Sequence, residues 1–157
     1  MKLSVRKGFS FGLTSGIITT LGLIVGLQSS TRSDIAVIGG ILVIAIADAL
    51  SDAFGVHISE EAENKHSNKE VWESTAATFF SKFVFALTFV VPVLVLSLDM
   101  AIIVSIIWGM LLIAIFSCYM AKLQKTSAPK IVAEHLVITV IVVLVTHYVG
   151  AWISVAF

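Results

Sequence analysis

Charge is what this chain has least of. Of its 157 residues, 13% are Asp, Glu, Lys or Arg and 58% are apolar, whereas a soluble domain carries about 25% charged residues. The mean hydropathy is +1.04, and the apolar runs leave no space for a sizeable soluble domain. A basic stripe is missing too. Ten Lys and Arg balance ten Asp and Glu, so nucleic acid is not an expected partner. The single cysteine, Cys118, cannot form an intrachain disulfide and reads as a small packing residue. No nucleophile–base pair, HExxH helix or phosphate-binding loop occurs, which argues against an enzyme and against a bound cofactor.

What is present is hydrophobic length. Five segments reach the roughly 20 apolar residues that a spanning helix needs: 8–27, 35–57, 75–98, 100–121 and 131–155. The predicted fold is all-α, one transmembrane domain over 1–157, multi-pass in a cell or organellar membrane with the lipid bilayer as its partner. The links after the first and third segments are short, so neighbouring helices form antiparallel hairpins. Lys2, Arg6 and Lys7, then Lys65 and Lys69, then Lys122, Lys125 and Lys130 fall on one side, and only Arg32 falls on the other. That asymmetry predicts a cytoplasmic N-terminus and a cytoplasmic loop 58–74, with the C-terminus on the far side. The first segment resembles a signal peptide in its basic start, but its length and the lack of a clear cleavage site favour a retained helix.

Against this background two acids stand out. Asp48 and Asp52 lie in the run IAVIGGILVIAIADALSDAFGV. A carboxylate at membrane depth costs about 2.5–3.5 kcal/mol even on the lenient insertion scale. Spacing i, i+4 places both on one helix face, able to converge on one cation or share a proton. Ser51 and Gly55 fall on the same face. The pattern points to a membrane carrier for a positively charged solute. Lys82, in the third segment, is either their counter-charge in a structural network or a side chain reaching back to the cytoplasmic surface. Pro92, further along that segment, predicts a kink.

In the first segment Gly8, Gly12 and Gly16 repeat at four-residue spacing, followed by Gly22 and Gly26. Such a stripe lets helix backbones approach closely in lipid. Thr14, Ser15, Thr19 and Thr20 are interleaved with it, either lining a polar path or bonding to the preceding turn's carbonyls. In the loop, Glu60, Glu61, Glu63, Glu70 and Glu73 with His57 and His66 either hold a divalent ion at the entrance or form a solvated cap over two helices. Glu134 and His135 open the fifth segment, and His147 lies deep within it, as a proton carrier or a hydrogen-bonded packing residue.

Several runs together resemble the vacuolar iron transporter family, small five-helix carriers of ferrous iron and manganese. GLTSGIITTLGLIVGL is similar to that family's first helix, ALSDAFGVHISEEAE to the exit of its second, and TAATFFSKFVFALTFVVPVL to its third. VSIIWGMLLIAIFSCYMAKL and LVTHYVGAWI fit its fourth and fifth. The resemblance implies a homodimer formed through the glycine-rich first helix, and export of a divalent metal ion from the cytosol in exchange for protons. This chain has Ser15 where the family pattern has an acid, Asp52 where it has methionine, and no cytoplasmic metal-binding bundle, although Glu63 sits near the family's first loop acid. The expected metal site is therefore Asp48, Asp52, Ser51 and Ser15, with Glu60 and Glu63 at its entrance and Lys82 and His57 in proton coupling or as counter-charges. The alternative is a non-transporting dimeric scaffold or accessory subunit in which Asp48, Asp52 and Lys82 fix helix register.

Overall fold

The computed structural model describes residues 2–157 and is all-helical over them. Five helices are long and apolar enough to cross a membrane: α1 (Leu3–Thr31), α2 (Asp34–Glu63), α3 (Asn68–Val95), α4 (Leu98–Gln124) and α5 (Ala128–Ala156). This fits a multi-pass integral membrane protein. At a rise of about 1.5 Å per residue a helix of this length covers about 45 Å, the bilayer with its headgroup layers.

Every helix is longer than its expected apolar segment, although α3 stops at Val95, short of the expected 98. The loop expected over 58–74 shrinks to residues 64–67. The causes are local. Asn64 adopts a left-handed conformation (φ 49°) that ends α2, its N–H bonding to the Glu61 carbonyl. Ser67 then caps α3, accepting from the Glu70 N–H while the Glu70 side chain accepts from the Ser67 N–H, so two otherwise unpaired donors are satisfied at once. Glu60 and Glu63, expected in a loop, are thus fixed on a helix. Arg32 (φ 49°) and Lys125 (φ 54°) end α1 and α4 in the same left-handed way.

Two interruptions shape the spans. The turn Ile44–Asp48 of α2 is a π-helix, with the Ala49 N–H reaching back to the Ile44 carbonyl. One extra residue in the turn rotates everything beyond it by about 100° relative to an unbroken helix. In α3 the kink expected at Pro92 is a break at the fully buried Phe89, because proline offers no N–H to the Thr88 carbonyl one turn earlier.

Helix α1 is central. Leu13, Ile17, Leu21, Ile24 and Val25 are buried in the core, joined by Val37 and Ile41 of α2, Phe89 and Val93 of α3 and Ile113 and Phe116 of α4. The glycine stripe is used within the chain. A Cβ on Gly12 would lie 2.3 Å from the Thr78 carbonyl oxygen of α3, and one on Gly150 of α5 would lie 2.4 Å from the Gly26 carbonyl oxygen of α1. The parallel neighbours α3 and α5 can touch the α1 backbone only where side chains are missing. Outward apolar faces, such as Val137, Ile141 and Tyr148 of α5, are exposed, as lipid-facing positions are.

Candidate functional site

The constraint on α1 and α3 that brings Gly8, Gly12 and Gly16 against Ser74, Thr78 and Lys82 also sets the site. Gly16 presents no side chain to Lys82, so the lysine stem passes between the helices instead of turning outward. A Cβ at Gly16 would sit 3.2 Å from Lys82 Cγ. Lys82 is 1% exposed and does not reach for the surface.

Its ammonium meets three acceptors. Lys82 Nζ lies 2.5 Å from Asp48 Oδ2 and 2.5 Å from Asp52 Oδ2 of α2, and donates to Ser15 Oγ of α1 at 2.9 Å. Its N–H donors make hydrogen bonds to Asp52 and Ser15, while Asp48 is held as an ion pair. Ser15 in turn donates to Asp52 Oδ2 at 2.7 Å, and Thr19 donates to the Ser15 carbonyl at 2.8 Å. Three helices therefore converge on one charge. With all groups ionised, two carboxylates and one ammonium leave one negative charge in excess.

A cleft of about 560 Å³ leads to the cluster. Its walls are Lys7 and Phe11 of α1 and Ser51, Asp52, Gly55, Val56, Ser59 and Glu60 of α2. Ser51 lines this cleft and is exposed. Glu60 closes the mouth: it is 3% exposed, with Lys7 Nζ 2.6 Å from Oε1 and His66 Nε2 3.2 Å from Oε2. Glu63 is more open, 3.7 Å from Lys7 Nζ.

His57 belongs to neither group. Its Nδ1 is 3.0 Å from Thr75 Oγ1, and that hydroxyl donates to the Val71 carbonyl, so the ring nitrogen is the donor. Its Nε2 is 3.4 Å from Glu61, and its ring lies 4.6 Å from that of Trp72. It braces α2 against α3. His147, at the opposite end of the bundle, pairs with Ser29 Oγ at 2.8 Å, and His135 with the buried Ser117 at 2.7 Å.

The expected site residues thus divide. Asp48, Asp52, Ser15 and Lys82 are brought together; Ser51 and Glu60 line the approach; Glu63 lies outside the cleft lining, near Lys7; His57 lies apart. Among the described residues no three His, Cys, Asp or Glu side chains converge as a metal-binding group. Sequence reasoning missed Lys7 as a partner, treating it only as an orienting charge. The signal was available in the hairpin register: Lys7 and Ser15 are eight residues apart on α1, as are Glu60 and Asp52 on antiparallel α2. Comparison with protein-family models, with curated proteins and with solved structures finds no match to this chain.

Proposed function

We propose that this chain is a membrane transporter for a divalent metal cation, of the ferrous or manganous type, exchanging it for protons across the membrane. One observation carries this: two carboxylates and a hydroxyl converge on a single positive charge inside a helix bundle, at the end of a cleft. Lys82 Nζ marks a point where a cation is held by Asp48, Asp52 and Ser15. The excess negative charge of the cluster favours a further cation or proton. Hard oxygen donors suit manganese among the transition metals, and the ferrous alternative rests on the resemblance alone.

In this mechanism the metal ion enters at Glu60 and passes Ser59 and Ser51. Binding at Asp52 and Asp48 requires Lys82 to swing aside and any proton on the acids to leave. Metal binding and proton release then share the same oxygens, which couples the two fluxes. The positive charge at the N-terminal end favours a cytoplasmic cleft mouth, which accords with export from the cytosol, the direction that the resemblance to vacuolar iron transporters implies. In a dimer, the contact on α1 would have to avoid Gly8, Gly12 and Gly16, which α3 occupies.

A second reading is favoured by the completeness of the cluster. Lys82 is already neutralised by two acids and bonded to Ser15 without any added ion, as a structural network fixing helix register would have it. The two readings separate in proteoliposomes. Manganese-driven proton movement that disappears in Asp48→Asn and in Asp52→Asn supports transport. A folded, inactive unmodified chain, or flux that both variants leave unchanged, supports the network alone.

A further inference from the structure

Helix α1 is enclosed by the other four except at one place. Only two of its large apolar side chains are exposed, Leu3 and Phe11, the second at 47%. Both line a groove of about 440 Å³ at the N-terminal end, whose far wall is Met120 of α4. Phe11 and Met120 also line the adjoining cavity, which lies beside Phe116 and carries Glu134 and His135 on its α5 side. The groove itself therefore opens sideways over an apolar lining of Leu3, Phe11 and Met120.

The rim of this groove is basic. Arg6, Lys7, Glu60 and His66 line it, and the one acid is already taken by Lys7 and His66. Arg6 is half-buried and has no carboxylate within ion-pair distance among the described residues. A guanidinium offers five donors in a planar fork that matches phosphate. Its fork is open to solvent at the groove's rim, free to meet an anion there.

We propose that the groove binds one anionic phospholipid of the adjacent leaflet, with its headgroup phosphate on Arg6 and an acyl chain along Phe11 and Met120. The order of groups decides the occupant: a positive fork at headgroup depth above an apolar trough is the complement of an anionic amphiphile. A second copy docked here about a twofold axis would bring two basic rims together. The groove shares Lys7, Phe11 and Glu60 with the wall of the cation cleft, but Asp48, Asp52 and Lys82 take no part in it, so lipid retention is read without any transport measurement.

The test is native mass spectrometry of the detergent-purified chain offered equal amounts of phosphatidylglycerol and phosphatidylcholine with matched acyl chains. The unmodified chain retains one phosphatidylglycerol per protomer, preferred by about fivefold, the effect of one basic residue near the membrane surface. Arg6→Gln abolishes the preference. Phe11→Glu, at an exposed position, abolishes it through repulsion of the phosphate. Arg32→Gln, which removes the same charge at the opposite end of α1, leaves it intact. Equal retention of the two lipids by the unmodified chain, or an undiminished preference in Arg6→Gln and Phe11→Glu, overturns the proposal. So does a disulfide-linked dimer formed in membranes by Phe11→Cys in a Cys118→Ser background.

Discussion

Gly16 of α1 and Lys82 of α3 face each other so closely that a Cβ on the glycine would lie 3.0 Å from the Lys82 carbonyl oxygen and 3.2 Å from its Cγ. The missing side chain is what lets a charged residue run through the middle of an apolar bundle to its acids.

Gly16→Val should therefore destabilise the fold by about 1–3 kcal/mol, the usual range for overpacking a tight contact. By pushing Lys82 off Asp48 and Asp52 it should also lower metal-driven proton flux. Gly39→Ala and Gly55→Ala are the controls: nothing lies within 4 Å of either position, and alanine is favoured over glycine in a helix by about 1 kcal/mol. Denaturation midpoints in detergent should fall for the first and hold or rise for the others.

Removing the acids should cost more than removing the lysine. Lys82 is 1% exposed, whereas the Asp48 and Asp52 side chains are 36% and 23% exposed. Asp48→Asn with Asp52→Asn strands a buried ammonium, a loss of about 3–5 kcal/mol for breaking a buried pair. Lys82→Met leaves two carboxylates that are only partly buried, so its cost is smaller. Unfolding free energies at neutral pH in the opposite order would show that the acids, not the lysine, are the buried partners.

Asp48 and Asp52 were legible in the sequence because acids in an apolar run are conspicuous, and Lys82 was legible as their candidate counter-charge. Pro92 was legible as an interruption, since a missing N–H acts wherever the helix is packed. The ammonium's third partner was not. Ser15 is one of several hydroxyls on α1, and only the hairpin register selects it over Thr14, Thr19 and Thr20. Nor does IAIAD announce a π turn, because no residue type encodes the extra residue that aims Asp48.

Ser15→Ala should leave one Lys82 N–H and one Asp52 lone pair without their partner. A buried donor left unmade costs about 1–3 kcal/mol. Ser15→Thr keeps the hydroxyl and should recover most of the loss. Thermal unfolding of the two variants side by side reads the difference directly.

Lys7→Met should expose the approach to the site. Glu60 is 3% exposed and would keep only His66 as its partner, so we expect a loss of stability of about 1–3 kcal/mol. Accessibility of the cleft should rise with it: Ser59→Cys, in a Cys118→Ser background, should react faster with a maleimide when Lys7 is absent. An unchanged rate would mean that the Lys7–Glu60 pair does not close the mouth.

Sequence alone determined the number of helices, their hairpin order and the presence of buried charge, because hydrophobic length and isolated acids act within one segment and need no neighbour to be read. It also marked the glycines of α1 as close-packing positions. Which helices would use them was decided by tertiary structure: α3 takes Gly8, Gly12 and Gly16, and α5 takes Gly22 and Gly26. The same holds for the site. Three helices must settle into one register before Lys82 can find Asp48, Asp52 and Ser15 together, and that register comes from backbone contacts spread along whole helices, not from any one residue.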